Sequence, residues 1–221
     1  MTAPIFAGFF WVLAGRDVRV GGPGRWISRA PQPRRITLAR IRWLLRAAVW
    51  GPPGAGSVWA WTRALVAAAV LTVLLRTVID PAVVSFVAEP LTSEQAARYA
   101  HRATWILEWG WPASIPGLTV VSAAAGEEIL FRAPLLILAA CLARRSRVTY
   151  THRTRFVQIS ILVVGVMIST TLFGLAHADY SVSNVVTAAA NGFFWALLAL
   201  RTKSLIPSIA SHTTVNLLVL Y

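Results

Sequence analysis

Two adjacent carboxylic acids are the most unusual feature of this 221-residue sequence. Glu127 and Glu128 stand side by side in the apolar stretch from Thr119 to Ala143, although the whole chain has only 8 acidic residues. An ionisable side chain in a membrane helix costs about 2.5–3.5 kcal/mol on insertion scales, so such residues usually face a bundle interior or a wet cavity. The pair therefore predicts a functional polar site among apolar helices.

The two glutamates are expected to have different roles. Arg132 follows Glu128 by four residues, which on a helix places the guanidinium beside the carboxylate and offers a bidentate ion pair. Glu127 points about 100° away from Glu128 on a helix, and the neighbouring sequence holds no such partner for it. We therefore predict that Glu128 is structural and that Glu127 is available for chemistry.

Two histidines and one amide lie in similar apolar surroundings. His177 follows the apolar segment 156–176, while His212 and Asn216 lie one helical turn apart on the same face of the last segment. Brought together with a glutamate, these groups would supply a base, an auxiliary acid or base, and donors for an oxyanion. Each residue alone has a simpler explanation, such as a hydrogen bond between packed helices. Their joint pattern favours a catalytic site.

The composition indicates that the chain resides in a lipid bilayer. It is 57% hydrophobic and only 13% charged. Of the 21 basic residues, 16 gather at 16–47, 144–155 and 201–203, beside apolar segments, which is typical of loops that face an anionic cytoplasmic leaflet. The preference for arginine is equally explained by a coding bias. The net charge of +13 therefore does not indicate a nucleic-acid partner.

Five apolar segments predict an all-α, polytopic transmembrane bundle. About 20 residues of helix cross the hydrocarbon core. The predicted crossings are Val58–Ile79, 112–143, 156–176, 182–200 and 205–221. Arg63 and Arg76, towards the ends of the first crossing, are expected to snorkel. In the fourth crossing, Ala188 and Gly192 present a small-residue face that predicts the close approach of another helix.

The remaining segments are predicted to lie at the membrane surface or in loops. Residues 1–56 form a basic amino-terminal arm, with a short apolar segment at Ile5–Ala14 and an amphipathic interfacial helix at Ile36–Trp50. Residues 57–221 form the transmembrane domain. Between the first and second crossings, Asp80–Trp109 is predicted to be a loop on the less basic side. There Thr92 and Gln95 have the spacing of a capping box.

Three motifs resemble the CAAX-protease and bacteriocin-processing (CPBP, Abi) family of intramembrane endopeptidases, which includes the Rce1-like enzymes. The first is a glutamate pair with an arginine four residues on, here Glu127-Glu128-Ile129-Leu130-Phe131-Arg132. The second is an aromatic residue followed four residues later by histidine, here Phe173 and His177. The third is histidine followed four residues later by asparagine, here His212 and Asn216. The resemblance covers residues 115–221.

This resemblance implies an endopeptidase that cleaves near the membrane-anchored end of a protein or peptide. By it, Glu127 is the general base that activates water, with help from His177. His212 and Asn216 stabilise the tetrahedral oxyanion. The ion pair between Glu128 and Arg132 holds the geometry of the helix. We expect a conical pocket that opens to water and is lined by the base and the two histidines.

The resemblance leaves the metal dependence open. A glutamate mechanism that requires no cofactor is favoured, because the sequence has no HExxH pair. Alternatively, Glu127, His177 and His212 would hold a catalytic zinc ion with one open position. Other expected partners are the bilayer and its anionic headgroups, in a bacterial cell membrane with the arginine-rich loops in the cytoplasm. Two further functions fit the residues, a non-enzymatic immunity or scaffold protein and a proton-coupled transporter.

Overall fold

The fold is seen in a computed structural model that describes the chain in five stretches. These are residues 58–87, 92–98, 116–145, 152–179 and 181–220. Every regular element within them is a helix, and none of the described residues lies in a strand. The prediction of an all-α fold is confirmed. The predicted arm 1–56 lies outside the described residues.

Six helices, numbered here in chain order, and a short helical segment at 93–98 make up the described part of the fold. The six helices are α1 (Val58–Val87), α2 (Pro116–Phe131), α3 (Ala133–Arg145), α4 (His152–Leu175), α5 (Val182–Thr202) and α6 (Ile206–Leu220). Within the described residues, α1 and α5 and the stretch Thr154–Leu175 of α4 are long and apolar enough to cross a membrane. The protein is therefore an integral membrane protein, while the total of five crossings stays a prediction.

The first helix runs further than the sequence indicated. The prediction that a loop begins at Asp80 is wrong, because α1 continues to Val87 through a π-helical turn at Leu75–Ile79. Pro81, just after this turn, has no N–H for the helix ladder, and a wider turn relieves the clash of its ring. Arg76 does not simply snorkel, since its Nη1 lies 2.8 Å from Asp80 Oδ2 and the ion pair lowers the cost of a buried carboxylate.

The predicted second crossing, 112–143, is interrupted at Arg132, between α2 and α3. Pro134 accounts for the interruption, because it has no N–H to donate to the preceding turn and its ring crowds that turn. The Oγ of Ser169 on α4 donates a hydrogen bond to the carbonyl of Phe131, at 2.8 Å. The interruption is thus held from a neighbouring helix, next to the glutamate pair.

Helices α4 and α5 pack closely because small residues line their contact, as the sequence predicted for Ala188 and Gly192. A Cβ atom on Gly174 would lie 2.9 Å from both the carbonyl oxygen of Val185 and the Cβ of Ala189. At Gly192 a Cβ would lie 2.7 Å from Arg132 Nη2 and 2.8 Å from Phe173 Cδ1. Both glycines are therefore positions where no side chain fits.

Helix α6 packs against α1, α2 and α5, so it lies inside the bundle. One core cluster joins α1, α4, α5 and α6. Its buried members are Leu75, Phe173, Ala188, Trp195 and Val215. In contrast, large apolar side chains on α1 and α4 are exposed, among them Val70 and Ile168. An exposed apolar face is what a helix surface in contact with lipid requires.

Short polar contacts determine where the helices end. The predicted capping box is confirmed, since Thr92 N donates to Gln95 Oε1 at 2.9 Å and Gln95 N donates to Thr92 Oγ1 at 3.2 Å. Arg98, at the end of the same short helical segment, donates to the carbonyl of Asp179 at 2.8 Å. After α5, Lys203 adopts a left-handed conformation with φ 56°, which turns the chain into α6.

The close packing of α4 against α5 predicts that Gly174→Ala lowers the free energy of unfolding by about 1–3 kcal/mol, because the methyl group meets backbone that cannot move aside. Thermal unfolding in detergent measures the effect. Gly126→Ala is the matched control, since nothing lies within 4 Å of its Cβ position. In a helix that exchange is expected to be neutral or to stabilise by up to about 1 kcal/mol. Equal melting temperatures for the two variants would contradict this packing.

Candidate active site

The imidazole of His212 lies between the two adjacent carboxylates. Helix α2 supplies Glu127 and Glu128, and α6 supplies His212, whose ring is 2% exposed. Nδ1 of His212 is 3.1 Å from Glu128 Oε1, within hydrogen-bond distance. Nε2 is 3.5 Å from Glu127 Oε2, beyond an ordinary hydrogen bond. One imidazole therefore faces both acids, each through a different nitrogen.

The charges of the side chains in this cluster can be counted. An ionised carboxylate only accepts hydrogen bonds, and a neutral imidazole carries a single N–H. Two ionised glutamates and the guanidinium of Arg132 leave one negative charge uncompensated in the bundle. One further proton on these side chains would make the cluster neutral. A buried cluster without net charge is the less costly state in an apolar medium.

The predicted bidentate pair between Glu128 and Arg132 does not form. Both side chains are completely buried, but Arg132 Nη1 is 3.6 Å from Glu128 Oε1, so the contact is an ion pair without a hydrogen bond. The hydrogen bond of this oxygen is made with His212. Glu128 therefore has more than a structural contact with Arg132, because it also fixes the imidazole.

The guanidinium of Arg132 lies over aromatic rings. Its Cζ is 4.1 Å from the centroid of Phe173 and 5.9 Å from that of Trp195. None of its nitrogens donates a hydrogen bond to another residue in the described stretches. Attraction between a desolvated cation and an aromatic face is worth about 2 kcal/mol or more. The absent side chain of Gly192 leaves the space that this arrangement needs.

The ring of Phe173 contacts both histidines of the predicted site. Its ring is 1% exposed and meets the ring of His212 edge-on, with centroids 5.7 Å apart. The ring of Phe173 also contacts the ring of His177, with centroids 4.7 Å apart and an interplanar angle of 55°. The structure therefore places Phe173 in the core and against both imidazoles.

His177 lies in the turn that follows α4, with its orientation fixed by the backbone. Its Nδ1 lies 2.8 Å from the carbonyl oxygen of Phe173, which can only accept a hydrogen bond. Nδ1 therefore carries a proton, and Nε2 is the basic nitrogen of the neutral ring. The carbonyl of His177 accepts a hydrogen bond from Asn184 Nδ2 at 3.2 Å. The assistance of His177 to Glu127 stays a prediction.

Asn216 and the predicted pocket are less directly tested. Asn216 is half-buried on α6, one turn after His212, and its side chain has no hydrogen bond to another residue of the described stretches. Its role towards an oxyanion stays a prediction, as does the conical pocket. The two glutamates differ in exposure, since the side chain of Glu127 is 33% exposed and that of Glu128 is 0% exposed. Glu127 is the carboxylate that reaches the surface.

Comparison with protein families assigns this part of the chain. Residues 109–218 match the family model described as type II CAAX prenyl endopeptidase Rce1-like. The chain contains an Rce1-like domain. No curated protein and no solved structure matched the chain. The Rce1-like domain includes all six predicted site residues, which are Glu127, Glu128, Arg132, His177, His212 and Asn216.

The sequence interpretation missed three residues that contact the Rce1-like site. Trp195 stacks on His212 with ring centroids 3.9 Å apart and an interplanar angle of 18°. Its Nε1 donates to Ser211 Oγ at 3.1 Å, and Ser211 Oγ is 2.9 Å from Thr72 Oγ1. A signal for Trp195 existed, because tryptophan favours the ends of membrane helices and this one is deep within α5. A buried indole N–H also requires a partner.

Zinc binding by Glu127, His177 and His212 stays a prediction. In the described stretches no group of three or more His, Cys, Asp or Glu side chains is arranged to hold a metal ion. A cofactor-free mechanism stays a proposal, and it is developed from the contacts of the Rce1-like site below.

The buried ion pair of the Rce1-like domain predicts a large loss of stability in Arg132→Met. Without the cation, Glu128 remains buried and uncompensated, which costs about 3–5 kcal/mol. Melting temperatures in detergent measure the loss. Arg201→Met, at an exposed position near the end of α5, is the control and is expected to change stability by less than about 0.5 kcal/mol. If both variants melt like the wild type, Arg132 does not neutralise the cluster.

Proposed function

We propose that this protein is an intramembrane endopeptidase that hydrolyses a peptide bond near the membrane-anchored end of its substrate. One observation carries the proposal. His212 is buried between two glutamates, and of these only Glu127 is partly exposed. Hydrolysis by water needs a base that water can reach and a nearby group that can donate a hydrogen bond to the oxyanion. Glu127 and the buried imidazole of His212 fit these two requirements.

In the proposed reaction Glu127 acts as the general base. It takes a proton from a water molecule as the water oxygen forms a bond to the scissile carbonyl carbon. Glu127 then gives this proton to the leaving nitrogen as the carbon–nitrogen bond breaks, which releases a carboxyl group and an amine. The Oε2 atom that faces His212 has no hydrogen-bond partner among the described residues. It is therefore in position to exchange a proton.

His212 stabilises the oxyanion that develops on the carbonyl oxygen. Nδ1 lies within hydrogen-bond distance of Glu128, and in the proposed step Nε2 also carries a proton, which it directs towards Glu127 and the reacting carbonyl. The 3.5 Å separation from Glu127 leaves this N–H without a short hydrogen bond, so it can be redirected to an oxyanion. A donor of this kind contributes about 2.7–4 kcal/mol to a transition state. Asn216, one turn away, is proposed as a second donor.

Glu128 and Arg132 prepare the ring for this task. Glu128 holds Nδ1 in the protonated form, and Arg132 supplies the compensating charge at 3.6 Å. Because both residues are completely buried, they do not compete for water or substrate. His177, with Nε2 as its basic nitrogen, is proposed to assist the proton transfers of Glu127.

The membrane setting supports an anchored substrate. The helices α1, α4 and α5 expose apolar side chains along lengths that can cross a bilayer. A substrate held in the same bilayer meets the enzyme by diffusion in two dimensions, and its scissile bond arrives at the depth of the site. We propose a membrane-anchored protein or peptide as the substrate, with the arginine-rich loops at the cytoplasmic, anionic surface.

This mechanism predicts that Glu127→Gln abolishes cleavage and leaves the fold intact. The amide cannot take up the proton of water, and loss of a general base lowers the rate by about 10²–10⁴. Purified protein in nanodiscs is tested on a panel of membrane-anchored peptides, with cleavage followed by mass spectrometry. Glu94→Gln is the matched control, because Glu94 is exposed and pairs with Arg98 away from the site.

Three results distinguish the possible functions. Cleavage by the wild type and Glu94→Gln, but not by Glu127→Gln, supports the endopeptidase. Turnover by Glu127→Gln at the wild-type rate removes Glu127 from the mechanism. If no peptide is cleaved and Glu127→Gln keeps the cellular function, the immunity or scaffold function replaces the enzyme.

A further inference from the structure

The indole of Trp195 covers one face of the His212 imidazole. The two rings are nearly parallel, with 18° between their planes and 3.9 Å between their centroids. Trp195 is 2% exposed, so surrounding atoms fix its position. A ring that is stacked on a fixed surface can turn within its own plane but cannot tilt out of it. The indole therefore defines the plane in which the two nitrogens of His212 lie.

Hydrogen bonds from three helices hold this indole. Trp195 Nε1–H on α5 can only donate, and it donates to Ser211 Oγ on α6. Thr72 Oγ1 on α1 lies 2.9 Å from Ser211 Oγ and 2.9 Å from the carbonyl of Ala68. The carbonyl can only accept, so it takes the single hydroxyl proton of Thr72. Ser211 must then donate to Thr72, and the chain of bonds has one direction.

We propose that Trp195, anchored through Ser211 to Thr72, is a positioning residue that holds the imidazole of His212 in the orientation in which its two nitrogens face Glu127 and Glu128. The inference rests on the proposed function. Nδ1 must meet Glu128 while Nε2 faces Glu127, and a tilt of the ring weakens both contacts. The indole prevents that tilt.

Two observations distinguish this role from ordinary packing. Any buried indole N–H needs a partner, but here the partner begins a chain of two buried hydroxyl groups that reaches from α6 to α1 and fixes the orientation of the indole. Ser211 also immediately precedes His212, so the anchor and the imidazole share one helical turn.

The first test is the exchange Thr72→Val, which keeps the shape of the side chain and removes the last hydroxyl of the chain. We expect kcat to fall by roughly three- to tenfold with little change in KM, as for loss of one hydrogen bond that acts in the transition state. Thr62→Val is the matched control. Its hydroxyl also donates to the carbonyl four residues earlier on α1, but it is exposed and has no further partner in the described stretches.

The second test observes the imidazole itself. Ring protons of His212, identified by the signals missing from His212→Gln, are measured by NMR in protein with labelled histidine. Because the imidazole lies over the indole, these signals are expected upfield in the wild type and in Thr62→Val. In Thr72→Val they are expected to move towards their unstacked position. Ser211→Ala breaks the same chain at its centre, so the test does not depend on one variant being folded.

Conservative exchanges complete the experiment. Thr72→Ser retains the hydroxyl and is expected to restore both kcat and the upfield signals. Trp195→Phe removes the N–H and is expected to lower kcat as Thr72→Val does. Wild-type signals in Thr72→Val and Ser211→Ala, or shifted signals with unchanged kcat, overturn this inference while the proposed function stands. A wild-type protein that cleaves none of the peptides overturns the proposed function, and the NMR measurement still decides whether Trp195 is anchored through Thr72.

Discussion

Burying a guanidinium and a carboxylate away from water costs several kcal/mol for each ion, and the packing around Arg132 and Glu128 is organised to offset that cost. Only part of the compensation is mutual, because the two side chains are 3.6 Å apart. The aromatic face of Phe173 supplies a further share, and the imidazole of His212 supplies the hydrogen bond that Glu128 Oε1 would otherwise lack. The charge pair thus requires both an aromatic residue from α4 and a histidine from α6.

This requirement explains the small residues of α5. A guanidinium that lies over an aromatic ring needs a neighbouring helix without a side chain at the point of contact, and Gly192 meets that need. Gly174, next to Phe173 in the sequence, allows the same two helices to approach closely at Val185 and Ala189. The close packing of α4 and α5 is therefore more than a way to fill the core. It brings the rings that surround the buried charges into contact.

Much of this arrangement could be predicted from the sequence, because charged residues in apolar helices have few places to go. The spacing of Glu128 and Arg132 predicted their ion pair, although not its lack of hydrogen bonds, and the small residues of α5 predicted a close helix contact that the structure shows. The helix boundaries were harder. Pro81 and Pro134 act through the local shape of the backbone, and neither the π-helical turn nor the interruption at Arg132 follows from hydrophobic periodicity. Contacts between distant segments, such as that of Trp195 with His212, depend on packing that no spacing encodes.

The contribution of α1 extends the unit that must fold together. The matched family domain covers residues 109–218, yet Leu75 fills the core beside Phe173 and Thr72 bonds to Ser211. Both side chains come from a helix that precedes the family domain in the sequence. The shortest fragment that retains the described site must therefore include α1. The structural unit thus begins earlier in the chain than the matched family domain does.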